Sequence, residues 1–177
     1  VLTYTVTGFV NGQNLASSGV TGAPEITTTA DVSSVVGTYP VNIQEGTLAA
    51  ANYSFTYANG NLTVAKAVIT VTANNATRTY GAANPAFTAT YNGFVNGEDI
   101  ASSGVTGAPG ITTAATAASA VGTYPIAPAS GTLAASNYSF NFVNGTLTIT
   151  KAALTVRADD KSKLFGSANP VLTASYN

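Results

Sequence analysis

The chain has 177 residues, enough for one or two domains, with 45% apolar residues, 7% charged residues and a net charge of −1. The absence of cysteine and histidine excludes a disulfide framework, thiol chemistry, and the commonest metal ligand and general base. The near-zero charge gives no pull towards nucleic acid or anionic lipid, and no apolar run reaches the length of a membrane span.

Charged residues fall far below the roughly 25% of ordinary soluble domains. Thr, Ser, Asn, Ala and Gly take their place, as in many exported β-rich proteins. Hydrophobicity is ordinary and aromatic residues are evenly spread, so low charge does not signal disorder. With no initiating methionine and no signal peptide, the chain reads as an interior piece of something longer.

A shift of 85 residues lays the sequence on itself without a gap. ASSGVTGAP at residues 16–24 recurs at 101–109, VGTYP at 36–40 recurs at 121–125, and GTLAAANYSF at 46–55 meets GTLAASNYSF at 131–140. More than half of the superposable positions are identical. The expected organisation is a first module at 1–66 lacking its first strand region, a complete second module at 67–151, and the start of a third at 152–177.

In chain order, the second repeat opens with AVITVTANNATRTY, a strand or strand pair loosened at Asn74–Asn75. GAANP reads as a turn, and AFTATYNGFVNG as a strand ending in Asn-Gly. EDIASSG is the one stretch suited to a helical turn, with Glu98 and Asp99 at its start and Gly104 as its stop; it is too short for an independent helix. A Gly-Pro turn and a Thr/Ala strand follow. VGTYPIAPASG is a short strand whose prolines mark an edge or a strand end. ASNYSFNFVNGTLTITK is a long strand or a hairpin around Asn144-Gly145, where Asn-Gly signals a turn because both residues tolerate positive φ. That gives roughly six strands per repeat. Tyr39 and Tyr124 stand where a strand begins, a setting in which a tyrosine hydroxyl often ties a strand corner.

The joint between repeats runs from NGNLTVAK into AVITVTA. Leu62, Val64 and Val68 are even-numbered, whereas Ile69, Val71 and Ala73 are odd-numbered, so the apolar alternation changes phase. A strand with period-two side chains exchanges its buried face at such a point. The expected junction residues are Lys66, Ala67, Val68 and Ile69, and one period later Lys151, Ala152, Ala153 and Leu154. No Gly or Pro interrupts residues 61–79, so the joint reads as a stiff coupling.

Acids are sparse and mostly unrepeated. Asp159 and Asp160 are the candidates for a calcium site, but they align with Asn74 and Asn75, so no metal is expected to be essential. Lys66 and Lys151 recur, which raises a Lys–Asn crosslink; no acid recurs to catalyse one, and strand-edge charges that block stray pairing are the better reading. Without His, Cys or a recurring carboxylate pair, no enzyme and no cofactor is expected.

Tyr80-Gly81-Ala82, the Asn84-Pro85 turn, GFVNG, VGTYP, NYSF, and NGTLT followed by a Lys-Ala pair resemble the MBG domain of the YGX type, over the whole chain. The third copy departs from it with Phe165-Gly166-Ser167, so a tyrosine hydroxyl is not required there. The resemblance implies a mainly β, β-grasp-like module, arrayed in large bacterial surface or secreted proteins such as adhesins. The residues leave a β-grasp and an immunoglobulin-like sandwich both open. The expected role is an extracellular stalk or spacer in an elongated rod, whose partners are neighbouring modules of the same or another copy. End-to-end filaments would form by a strand of one subunit completing a module of the next. The alternative is a glycan- or mucin-binding module with Tyr4, Tyr57 and Tyr80 as stacking platforms.

Overall fold

The structure, a computed structural model, describes residues 1–176 and divides into two compact units. The first comprises Val1–Val68, Gly93–Val105 and Ala134–Ser139; the second comprises Ile69–Asn92, Thr106–Leu133 and Phe140–Asn177. All regular elements among the described residues are strands.

In the first unit, β1 (Glu25–Thr28), β2 (Gly37–Gln44) and β3 (Gly60–Val64) form an antiparallel sheet in the order β1-β2-β3. Ile26 pairs with Ile43, and Tyr39 with Leu62. Residues 1–10 and 53–59 carry no strand. Two aromatic pairs recur at the repeat spacing: Phe9 on Tyr53 and Phe94 on Tyr138, edge-on at 5.8 and 5.9 Å between ring centroids.

The stretch suited to a helical turn forms one turn and stops. Asp99 Oδ1 accepts the amides of Ala101 and Ser102, and Ser103 N donates to the Asp99 carbonyl at 2.9 Å. Asn14 makes the matching contacts to Ala16 and Ser17 in the first repeat. A cap satisfies the first amides, but too few residues follow to propagate a helix.

The second repeat adds β4 (Ala67–Ala73), β5 (Ala76–Thr79), β6 (Ala89–Asn92), β7 (Gly110–Thr112), β8 (Gly122–Ala129), β9 (Tyr138–Val143) and β10 (Gly145–Thr150), one strand more than the sequence count. They form two sheets, β6-β4-β9 and β5-β10-β8-β7. The chain passes from one sheet to the other five times, at β4–β5, β5–β6, β6–β7, β8–β9 and β9–β10. Strand β5 runs parallel to β10; β10 with β8 and β8 with β7 are antiparallel. Beyond them, β11 (Val156–Ala158) pairs antiparallel with β12 (Ala174–Tyr176).

The core of the second unit is Ala73, Ala115, Ile126, Leu147 and Ile149, with Phe87, Ile111 and Tyr124 packed on it. Leu147 and Ile149 alternate with threonines on β10, so one face of the strand carries the burial. Each such side chain contributes about 1.5–3 kcal/mol.

Two expectations change. Asn144-Gly145 makes no hairpin, because β9 and β10 belong to different sheets. A Cβ on Gly145 would lie 2.4 Å from the Ala73 carbonyl oxygen, so this glycine permits close backbone approach at the crossing. The Asn-Gly pairs that do use positive φ are Asn11-Gly12 and Asn96-Gly97. The prolines of β8 do not mark an edge strand either, since β8 lies between β10 and β7. The β10 ladder covers Gly122–Ile126 and contains Pro125; the β7 ladder covers Ala127–Ala129 and contains Pro128. Each proline therefore belongs to a ladder on one side only, which leaves an open side where a missing N–H costs no ladder bond.

Candidate functional site

The geometry of the joint starts at Ala65 and Lys66, the two residues between β3 and β4. The Lys66 ammonium donates to the Ala135 carbonyl at 2.9 Å, the Ala67 amide donates to the Asn137 carbonyl at 3.0 Å, and Ser139 Oγ donates to the Ala67 carbonyl at 3.2 Å. Asn137 also reaches into the first repeat, where its Oδ1 accepts the Val36 amide at 3.2 Å. All these groups lie in the first unit. The start of VGTYP in one repeat is thus fastened to NYSF of the next, and the Lys-Ala pair closes on the same segment.

Val68 is exposed at 55%, whereas Ile69 and Val71 are fully buried. Upstream, Leu62 and Val64 are half-buried and their neighbours exposed. The exchange of faces therefore falls at the two-residue break between β3 and β4. The corresponding residues Lys151, Ala152, Ala153 and Leu154 are all exposed, Leu154 at 81%.

Asp159 and Asp160 serve the β11–β12 hairpin. Asp159 accepts the Thr173 hydroxyl, and Asp160 forms an exposed pair with Arg157 at 3.2 Å. Among the described residues no three acidic groups gather as metal ligands do. Lys66 Nζ meets a backbone carbonyl rather than an asparagine side chain, so its contact is not that of a crosslink. Tyr4, Tyr57 and Tyr80 are 39%, 39% and 49% exposed; Tyr4 and Tyr57 line one groove of the first unit.

Three groups escaped the sequence reading. Arg78 is 7% exposed and ties β5 to the loop before β8. Its Nε donates to Asn84 Oδ1 at 2.7 Å and its Nη2 to the Thr116 carbonyl at 2.5 Å. Asn84, from the GAANP turn, also donates Nδ2 to the Ala115 carbonyl at 2.7 Å. The Tyr-Gly-Ala turn therefore presents Asn84 to Arg78 and to the loop at once. Asn137 is the third; its recurrence as Asn52 was the available signal.

Charge effects are local. Hydrogen bonds from the Ser102 hydroxyl, then from the Ser102 and Ala101 amides, hold the Asp99 carboxyl below its ordinary pKa. Ser33 does the same for Asp31. The Tyr138 hydroxyl donates to Glu98 at 2.5 Å, and this bond raises the phenol pKa. In the first repeat, Tyr53 donates to Gln13 instead. The contact survives loss of the charge, so it is a structural tie and not an acid–base pair.

Recurring motifs making fixed contacts across a joint define a tandem-repeat protein of all-β modules. The chain belongs to the MBG domain family (YGX type), which matches residues 1–63 and 69–148. No curated protein and no solved structure matches it.

Proposed function

We propose that this chain is a spacer segment of a bacterial surface or secreted adhesin or fibre, extending the polypeptide by stiffly coupled modules that also associate end to end. The observation that carries this reading is the Asn137 bridge. It joins Val36 of one repeat to the strand that opens the next, and both residues recur at the repeat period as Val121 and Asn52. A contact built from recurring residues can repeat along an array, which suits length and multivalency better than a single site.

The test is insertion of Gly-Gly-Ser after Lys66. Spin labels on either side of the joint should give a narrow distance distribution that the insertion broadens. An unchanged distribution means independently hinged modules and defeats the reading. Glycan binding is the second reading, favoured by Tyr4 and Tyr57 lining one groove. Glycan-array binding by the isolated chain would support it; silence there would leave the spacer.

A further inference from the structure

We infer that the pairing of β5 with β10 is a mechanical clamp, through which the module at residues 67–151 bears tension along the array. The inference rests on the spacer reading above and gives that spacer a load to carry. In the second repeat the chain enters by β4 and β5 and leaves by β10. Strands β5 and β10 are parallel neighbours, with Ala76 opposite Leu147 and Thr79 opposite Thr150. Tension from the preceding module reaches β5 at its Ala76 end, and tension from the following module pulls β10 at its Thr150 end. Because the strands are parallel, those two ends lie at opposite limits of the seam. The pull therefore slides one strand along the other and loads every bond between them together. An antiparallel pair entered and left in this way would have both pulled ends side by side, and its bonds would open one at a time.

The seam is reinforced beyond its ladder. Before the first paired residues, Asn75 Oδ1 accepts the Thr146 amide at 2.7 Å. After the last, the Tyr80 amide donates to the Thr150 carbonyl at 2.8 Å. The Thr150 hydroxyl also donates to the Arg78 carbonyl at 3.3 Å. The Arg78 side chain adds a lateral tie. It is buried and held by Asn84 Oδ1 and the Thr116 carbonyl, so β5 cannot slide without drawing a guanidinium off its acceptors. Strand β10 is the fixed partner. It lies between β5 and β8, pairs antiparallel with β8 from Gly145 to Ile149, and buries Leu147 and Ile149 in the core. One strand is thus anchored in the core and the other is the end strand of the sheet, so a pull along the chain falls on the bonds between them.

The chain has no cysteine, so paired cysteines give unique handles for single-molecule pulling of the full chain. Ala65→Cys with Lys151→Cys loads the seam from opposite ends, as the array does; both residues are exposed. Ala82→Cys with Lys151→Cys sets both handles beyond the same end of the seam, after Thr79 and Thr150, and peels it. The first pair should unfold the module at a force about twofold higher or more, because forced unfolding is governed by the barrier and not by equilibrium stability. Arg78→Leu should lower that force. Leu133→Ala removes a buried side chain outside the core cluster that holds β10, so it should lower the urea midpoint and leave the force unchanged. A force through residues 65 and 151 no higher than through 82 and 151 overturns the clamp. An equal loss of force in Arg78→Leu and Leu133→Ala also overturns it, since force would then follow overall stability. The handles bracket one module, whereas spin-label distances across Lys66 report the joint, so the clamp and the spacer reading fail separately.

Discussion

Asp99 and Asn14 occupy the same position in successive repeats and cap the same turn, one with a charge and one without. The bonds to Asp99 favour its ionised form, so its folded pKa lies below the ordinary 3.8. Its contribution is present above that value and is lost as pH falls through the folded pKa. An NMR titration should therefore move the Ala101 and Ser102 amides below pH 3.8, while Ala16 and Ser17 stay still. Arg78 poses a different question, because it is buried with carbonyl and amide oxygens rather than a carboxylate. Arg78→Leu should cost about 1–3 kcal/mol by leaving the Thr116 and Asn84 oxygens unpaired, as read by urea denaturation. Gly145→Ala drives a Cβ into the Ala73 carbonyl and should cost a similar amount, about 1–3 kcal/mol.

Strand β4 and residues 152–158 are the same stretch of successive repeats but sit in opposite environments. Ile69 is fully buried and Leu154 is 81% exposed. Ile69→Ala should cost about 2–5 kcal/mol, whereas Leu154→Ala should leave the dilute monomer within about 0.5 kcal/mol of the parent. Denaturant midpoints of the two variants test this contrast. At the joint, Asn137→Ala removes the acceptor of the Val36 amide. A bond of this kind is worth about 1 kcal/mol, so Val36 should exchange its amide hydrogen several-fold faster while the β10 amides keep their protection. The tyrosine corners are the other element-level tie: Tyr39 donates to the Val35 carbonyl at 2.8 Å, and Tyr124 to the Ala120 carbonyl at 3.0 Å. Both pin the entry to a long strand, in the role expected from their place after Gly-Thr.

Across the whole molecule, charge is unevenly placed. Residues 1–65 hold three acids and no base, whereas residues 151–177 hold four bases and two acids. If the proposed end-to-end association brings these oppositely charged segments together, it should weaken with salt, because the Debye length shrinks from about 10 Å at 0.1 M to about 3 Å at 1 M. Sedimentation at the two ionic strengths measures it; association that strengthens with salt would show apolar contacts dominating the joint instead. The apolar alternation placed Val68 with Leu62 and Val64, but Val68 is exposed and the buried face changes sides at residues 65–66.

Much of this architecture was legible because it depends on local chemistry. The 85-residue period, the strand-rich character, the capped turn at Asp99 and the break at Lys66 all follow from spacing, turn residues and alternation. The partners of each strand were not legible. That β9 and β10 separate at Asn144, that prolines sit in an inner strand, and that Arg78 is buried all depend on residues far away in the chain. Asn-Gly has the same local meaning at Asn96 and Asn144; the nearby Ala73 carbonyl makes the second a crossing point rather than a turn. Likewise Leu154 and Ile69 share one sequence pattern, and only the presence of packed neighbours decides which is core. Burial is a property of the surroundings, and period-two alternation specifies a face without specifying what covers it.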